Sequence, residues 1–310
     1  MASLERKMIK AELIQRREEG CQLEGILPRI EDALERKASD EEFLALYEEL
    51  MALPIPESSP YVEPSALEHI HALRPDGPRK LACDLDDDQL YDRIYGGWLG
   101  RAAGCALGKP VEGWPKTRID DYLAEMGIDE LDDYIPFHEK KIPSILKTST
   151  RGNIAYMDRD DDMDFPILGL LALERKGHDF SARTMAHIWL EYMPFSTLYT
   201  AENVAYRNFV MSLWPPESAS FRNPFREWIG AQICADIFGY VAPGNPEKAA
   251  HLAFFDASIS HEKNGIYGEM FVAAMLAAAF VVDDIEEIIA IGLSEIPQNS
   301  RLTEAVKDTL

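Results

Sequence analysis

One long apolar run near the end of the chain restricts the fold more than any other stretch. Residues Ile266 to Val282 are alanine-rich and hydrophobic on nearly all sides, which is typical of a helix buried at the centre of a bundle. The most apolar part of the run, Met270 to Val282, is shorter than the roughly 20 residues that span a bilayer. Since no stretch alternates apolar and polar residues convincingly as a strand does, the sequence predicts an all-α protein.

The apolar positions of the remaining chain recur mostly at helical spacing. Up to residue 52 they predict two or three amphipathic helices, the last of which starts with a capping box of Ser39 and Glu42. Four prolines then predict an extended connector over residues 53 to 64. Further helices are predicted from Leu67 to Leu73, after Phe165 up to Gly177, from Ser181, and from Asn245 with Pro246 in the first helical position.

Composition excludes several classes of partner and compartment. The net charge of −23 repels polyphosphate backbones, so nucleic acid is not expected as a partner. The four cysteines are far apart and form no CxxC pair, which favours a reducing compartment. The first residues are charged and do not resemble a secretory signal. We therefore expect a soluble, cytoplasmic protein without a membrane partner.

Three consecutive aspartates, Asp160, Asp161 and Asp162, stand just ahead of the predicted helix that follows Phe165. Their carboxylates repel one another unless a cation lies among them. They can fan into water at a helix N-terminus, where the helix dipole favours negative charge. They can equally hold a metal ion through oxygen ligands. The residues alone leave both interpretations open.

Glycine occurs at every fourth position from Gly96 to Gly108. Such spacing lines one helical face and allows a neighbouring helix or a ligand to approach the backbone closely. The sequence Gly108-Lys109-Pro110 predicts the end of this helix and places Glu112 just beyond it. A loop carboxylate there can project into a cleft, whereas the alternative is an ordinary surface glutamate.

Four stretches together resemble the ADP-ribosylglycohydrolase family, a group of metal-dependent, all-helical hydrolases. Residues 104–112 are similar to its G-D-A-L-G-x-P-x-E motif, with Cys105 in place of the aspartate. Residues 160–165 resemble T-D-D-T-x-M, with Asp160 in place of the first threonine. Residues 229–234 resemble N-G-x-x-M-R, with Cys234 where the arginine is expected, and residues 256–261 resemble a T-H segment ahead of the long central helix.

The resemblance implies a fold and a domain organisation. Residues 90–310 are expected to form an orthogonal multi-helix bundle of the ADP-ribosylglycohydrolase type. Residues 1–89 are expected to form an N-terminal helical extension and linker, similar to that of a bacterial subfamily.

The resemblance also implies a site and a reaction. Glu112 would be the catalytic residue, while Asp160, Asp161 and Asp162 would hold Mg²⁺ or Mn²⁺, with two ions in a complete site. The substrate-binding residues would be His261, Gly230 and Gln232. The reaction implied is cleavage of an ADP-ribosyl, or a related N- or O-ribosyl, glycosidic bond in an ADP-ribose-like small molecule or an ADP-ribosylated protein.

One motif of the family has no counterpart after His261. The family's late G-x-D-x-D-[TC] stretch, which supplies the second half of the metal site, is not matched there. The sequence therefore leaves three interpretations open. In the first, the domain is incomplete at its C-terminus, and in the second, a partner supplies the missing ligands. In the third, the chain is a catalytically inactive module that binds ADP-ribose or a protein while retaining the hydrolase fold.

Overall fold

The structure, a computed structural model, describes residues 4–310 and contains no strand among them, which confirms the all-α prediction. The helices are α1 Leu4–Glu18, α2 Leu27–Glu35, α3 Asp40–Met51, α4 Leu67–Leu73, α5 Asp87–Gly108, α6 Lys116–Glu125, α7 Asp161–Lys176, α8 Ala182–Tyr192, α9 Thr200–Val210, α10 Glu217–Ser220, α11 Asp236–Tyr240, α12 Pro246–Ala257, α13 Asn264–Ala279, α14 Ile285–Leu293 and α15 Arg301–Thr309.

The chain forms two compact units. The larger unit contains the residues up to Cys83 together with Pro166–Leu310, and the smaller unit contains Asp84–Phe165. The helices α1 to α4 thus pack with the last 145 residues, Pro166–Leu310. The domain boundary expected at residue 89 stays a prediction, because compactness does not decide where a family domain begins.

Most predicted helix starts are confirmed by their capping interactions. Ser39 Oγ accepts the backbone N–H of Glu42 at 3.3 Å and thereby caps α3. The Glu42 carboxylate binds Arg36, so only one half of the predicted capping box forms with Ser39. Asn245 caps α12 by accepting the backbone N–H of Lys248 at 3.2 Å, and Pro246 takes the first helical position.

The alanine-rich helix α13 lies at the centre of the larger unit, as the sequence predicts. Ile266, Met270 and Ala274 on successive turns are fully buried, and the helix packs chiefly against α12 and α14. Small side chains permit this close packing, since each alanine adds little volume between helix axes. No helix within residues 4–310 combines the length and the apolar character needed to cross a bilayer.

The first three helices enclose an apolar cluster of their own. Ile9, Ile30, Phe43 and Leu50 are buried in it. Burial of each such side chain stabilises the fold by about 1.5 to 3 kcal/mol relative to exposure. The amphipathic helices predicted up to residue 52 are therefore confirmed, and their apolar faces are turned towards one another.

A buried ion network joins α1 to the segment from Arg226 to Lys263. The Arg226 guanidinium donates to both carboxylate oxygens of Glu12, at 2.8 and 3.0 Å. Lys263 Nζ donates to Glu19 at 2.6 Å, and Arg16 donates to the other oxygen of Glu19 at 2.6 Å. Because Glu12 and Arg226 are almost completely buried, each needs the other for charge compensation.

The same network predicts how stability depends on pH. Burial alone would raise the pKa of Glu19, but the charges of Arg226, Lys263 and Arg16 and the Lys263 hydrogen bond lower it to about 2. The stability contributed by Glu19 is therefore present above its ordinary value of 4.5 and is lost as the pH falls towards 2. Urea denaturation at several pH values in that window should show a smaller pH slope for Glu19→Gln than for the wild type.

Glu18→Gln is the matched control, because Glu18 is the exposed last residue of α1 and directly precedes Glu19. It should keep the wild-type slope. An unchanged slope in Glu19→Gln would contradict the role given to Glu19.

The smaller unit has a separate core, built around Tyr122, Ile135 and Ile142. Tyr122 lies on α6, and its hydroxyl donates to the carbonyl oxygen of Pro136. Helix α6 is not among the helices predicted from the sequence. The apolar face of this helix is narrow, and the exposed pair of Lys116 with Asp120 gives the segment the composition of a loop.

The glycine positions of α5 and α13 differ in their surroundings. On α5, Gly100 and Gly104 are exposed, and a Cβ atom at either position would meet nothing within 4 Å. Packing of a neighbouring helix against this face is therefore not observed in the described residues. At Gly265 on α13, by contrast, a Cβ would lie 2.7 Å from the carbonyl oxygen of Arg226 and 2.8 Å from His261 Cδ2.

We expect Gly265→Ala to lower the free energy of unfolding by about 1 to 3 kcal/mol, because the backbone carbonyl of Arg226 cannot yield easily. The matched control is Gly100→Ala, which should raise stability by about 0.5 to 1 kcal/mol because it only improves helix propensity. Chemical denaturation of both variants measures the contrast. A stabilising Gly265→Ala would show that α13 is not packed as described.

Candidate functional site

The side chains grouped at the predicted metal site come from the end of α5 and the start of α7, within the smaller unit. Asp160 precedes α7, and Asp162 lies in its first turn. One carboxylate oxygen of each and the Cys105 sulfur all lie within 4.8 Å of one another. The structure thus brings together two of the three predicted ligands, Asp160 and Asp162, and adds the Cys105 thiol, which was not predicted as a ligand.

Two basic side chains contact the aspartates, Arg101 of α5 and Lys109 of the turn that follows it. Lys109 Nζ lies 3.1 Å from Asp160 Oδ2 and donates to the carbonyl oxygen of Arg159 at 2.7 Å. Arg101 donates to the carbonyl oxygen of Asp162 at 2.6 and 2.9 Å, and its guanidinium lies 3.6 Å from the Asp162 carboxylate. Part of the negative charge is therefore balanced by the protein itself.

The pKa values of two neighbouring carboxyl groups, Asp160 and Asp161, are shifted in opposite directions. Burial would raise the pKa of Asp160, but Lys109 and the backbone N–H of Asp162 lower it. Burial, a hydrogen bond with Asp160 and the charge of Asp160 raise the pKa of Asp161 to about 6. A cation bound beside Asp161 would favour its ionised form and oppose this rise.

The Cys105 thiol belongs to the same group as Asp160 and Asp162, although the sequence did not predict it as a metal ligand. Burial raises the pKa of its thiol first, and the charges of Asp160 and Asp162 raise it further. The sequence contained a signal that would have found it, because Arg101, Cys105 and Lys109 are spaced by four residues and share one face of the helix.

Glu112, the predicted catalytic residue, is exposed just after the 3₁₀ turn Lys109–Val111. The predicted helix end at Gly108 is confirmed, and the proline of the turn is buried. Within the described residues, Glu112 is not among the side chains whose ligand atoms come within 4.8 Å of one another. Its carboxylate is accessible to solvent and to a ligand from outside.

His261, a predicted substrate-binding residue, belongs to the larger unit and is 1% exposed. Its Nδ1 forms a 2.8 Å hydrogen bond with Ser260 Oγ. Its Nε2 lies 3.9 Å from Glu202 Oε1 and makes no hydrogen bond within residues 4–310. Burial lowers the pKa of the imidazole to about 3, so the ring is neutral at physiological pH.

Gly230 and Gln232, the other predicted substrate-binding residues, lie in the 3₁₀ segment Ile229–Cys234 of the larger unit. A Cβ at Gly230 would overlap the Glu202 carboxylate, which also faces His261. Gln232 lies against α13, where a Cβ at Gly268 would overlap its side chain. Gly230 and His261 thus share a neighbour, Glu202.

Comparison with known proteins identifies a family for most of the chain. The model of a family described as ADP-ribosylglycohydrolase matches residues 86–310. The match begins one residue before α5 and includes Glu112, the aspartate triplet and His261. No curated protein and no solved structure matches the chain significantly.

Proposed function

Because the chain belongs to the ADP-ribosylglycohydrolase family, we propose that it is a metal-dependent hydrolase that cleaves an ADP-ribosyl, or a related N- or O-ribosyl, glycosidic bond. The observation that carries the proposal is the group formed by Asp160, Asp162 and Cys105, whose ligand atoms lie within 4.8 Å of one another. Its substrates would be an ADP-ribose-like small molecule or an ADP-ribosylated protein.

The three aspartates offer only carboxylate oxygens, and this part of the group fits a hard divalent cation. Carboxylate oxygens are the ligands that Mg²⁺ and Mn²⁺ prefer. Burial and the neighbouring Asp160 raise the pKa of Asp161. This crowding of carboxyl groups supports a cation-binding role for the triplet. We therefore assign Asp160, Asp161 and Asp162 as the residues that would hold Mg²⁺ or Mn²⁺. When bound, the ion would supply positive charge to orient the ribose hydroxyls and to polarise the reacting oxygen.

We assign the proton-transfer role to Glu112. Its exposed carboxylate follows a short turn anchored by buried Pro110. A carboxylate in this role accepts a proton from water or returns one to the leaving group. His261, Gly230 and Gln232 are proposed to shape the substrate pocket, with His261 neutral because burial lowers its pKa.

A second candidate function is favoured by one specific contact. Lys109 Nζ lies 3.1 Å from Asp160 Oδ2 and partly neutralises the group that would hold the ion. A module that binds ADP-ribose or a protein without hydrolysing a bond would need no divalent ion at this position. The two functions therefore differ in their dependence on metal.

The test is release of ADP-ribose from arginine- and serine-ADP-ribosylated peptides in Mg²⁺, in Mn²⁺ and in EDTA. We expect turnover with an ion, loss of turnover in EDTA, and loss of turnover in Asp161→Asn. The matched control is Asp120→Asn, which changes an exposed aspartate of the same unit. ADP-ribose binding that is independent of metal, without turnover, would support the second candidate. Neither binding nor turnover would contradict both.

A further inference from the structure

A second group of potential ligands lies inside the larger unit and has no part in the proposed hydrolysis. Cys234 ends the 3₁₀ segment Ile229–Cys234, Asp256 is near the end of α12, and Glu269 is in the second turn of α13. Their exposed fractions are 3%, 3% and 0%. One ligand atom of each lies within 4.8 Å of the other two.

The two carboxyl groups have no cationic partner. Within residues 4–310, Asp256 Oδ1 and both oxygens of Glu269 have no hydrogen-bond partner outside the cluster, and inside it Asp256 interacts with the Cys234 thiol and with Glu269. Burial raises the pKa of Asp256 to about 7 and that of Glu269 well above its usual range, and no described lysine or arginine lowers either value. An unpaired buried carboxylate is among the most costly groups in a protein.

Other buried carboxylates of the same unit do have such partners. Glu12 binds Arg226 through two hydrogen bonds. Glu295, which is also 0% exposed, lies 2.5 Å from Arg74 and 3.0 Å from Arg79. Glu12 and Glu295 thus have arginine partners, whereas no lysine or arginine acts on the cluster of Cys234, Asp256 and Glu269.

The backbone holds these three residues in place. A Cβ at Gly268 would overlap the Gln232 side chain, so α13 lies directly against the 3₁₀ segment that ends at Cys234. Helices α12 and α13 pack along each other more extensively than any other pair of elements in the described chain. The three side chains thus converge from rigid elements, as a preorganised ligand set requires.

We propose that Cys234, Asp256 and Glu269 bind a divalent transition-metal ion, with Zn²⁺ as the first choice, inside the larger unit. A sulfur donor with two carboxylates suits Zn²⁺ better than Mg²⁺, because thiolates favour softer ions. Ligand atoms lie about 2.0 to 2.3 Å from a tetrahedral Zn²⁺, so two of them are separated by about 3.3 to 3.8 Å. The ligand atoms of the cluster lie within 4.8 Å of one another, so side-chain movements of at most about 1.5 Å reach that spacing.

The proton balance follows from the chemistry of the ligands. Without an ion, protons on the thiol and on the carboxyl groups neutralise the cluster, since burial raises the pKa of all three groups. Zn²⁺ carries two positive charges, so the cluster stays neutral when the ion replaces two of these protons and the third stays on one of the carboxyl groups. One position of a tetrahedral ion remains for a further small ligand such as water. The site is independent of the proposed function and does not use the aspartates of the smaller unit.

The first experiment measures zinc in protein refolded from denaturant with Zn²⁺ and then dialysed against EDTA, because the buried site is reached most easily during folding. We expect about one tightly held zinc per chain in the wild type. Cys234→Ser should lose most of it, whereas Cys83→Ser, which changes an exposed cysteine, should not. A wild type without zinc after refolding would overturn the proposal and leave the protonated cluster as its explanation.

The second experiment identifies the ligand without relying on a variant at position 234. Cys105→Ser protein, which lacks the thiol of the other ligand group, is refolded with Co²⁺. We expect a sulfur-to-cobalt charge-transfer absorption in the near ultraviolet, and its loss in Cys105→Ser/Glu269→Gln. Absence of the band in Cys105→Ser would contradict cysteine ligation at this cluster, even if Cys234→Ser failed to fold.

Discussion

The Arg226→Ala variant is expected to lose about 3 to 5 kcal/mol of its free energy of unfolding. The Arg226 side chain is 3% exposed, and the Glu12 side chain that it binds through two hydrogen bonds is 0% exposed. Removing the guanidinium leaves Glu12 buried without its cation and weakens the surroundings of Glu19, 3.5 Å from Arg226. The cost arises mainly from the uncompensated carboxylates and less from the lost attraction.

Urea denaturation followed by circular dichroism measures this loss. The control is Arg175→Ala, because Arg175 forms an exposed pair with Glu191, and such pairs contribute about 0 to 1 kcal/mol. Glu12→Leu/Arg226→Met should recover much of the stability, since it removes both charges and retains apolar volume. An Arg226→Ala variant as stable as Arg175→Ala would show that the buried network contributes little.

Replacement of Glu112 by glutamine is expected to reduce turnover of ADP-ribosylated peptides by about 100- to 10,000-fold with little change in KM. Glutamine keeps the size of the side chain but cannot accept or return a proton at the glycosidic bond. Since Glu112 is exposed, the melting temperature should stay at the wild-type value. The measurement is steady-state release of ADP-ribose in saturating Mg²⁺ or Mn²⁺.

Glu139→Gln is the control for this variant, because Glu139 is another exposed glutamate of the smaller unit. It should leave turnover unchanged. A Glu112→Gln variant with nearly wild-type turnover would remove Glu112 from the proton-transfer role while leaving the family assignment intact. A large rise in KM at constant kcat would instead indicate a role in substrate binding.

Helical periodicity predicted the elements whose apolar faces are broad. Helices α1 to α4, the end of α5 at Gly108 and the buried α13 were all predicted from such patterns. Helix α6 was missed because its few apolar side chains lie among charged ones. The ion network around Arg226 was not predicted either, since its partners are about 210 residues apart in the chain and single-sequence patterns report only local spacing.

Only the local part of the candidate site was predicted, because contacts between separate elements are not visible in the sequence. The acidic triplet is visible as a local charge cluster, and the structure does place Asp160 and Asp162 together with Cys105. The contacts from Arg101 and Lys109 depend on how α5 lies against the start of α7. Such contacts between elements decide the electrostatics of the site. In the sequence they are visible only as the spacing of four residues between Arg101, Cys105 and Lys109, which does not show what these side chains contact.

The discontinuous larger unit affects the order in which the protein can fold during synthesis. Helices α1 to α4 leave the ribosome first, yet the partner of Glu12 is Arg226. At about 5 to 20 residues per second, the ribosome needs roughly 10 to 40 s to synthesise the intervening chain. The smaller unit, a continuous segment from Asp84 to Phe165, can form in that interval. Nascent chains therefore carry Glu12 and Glu19 without Arg226 for many seconds, while α1 to α3 can already bury their apolar faces against one another.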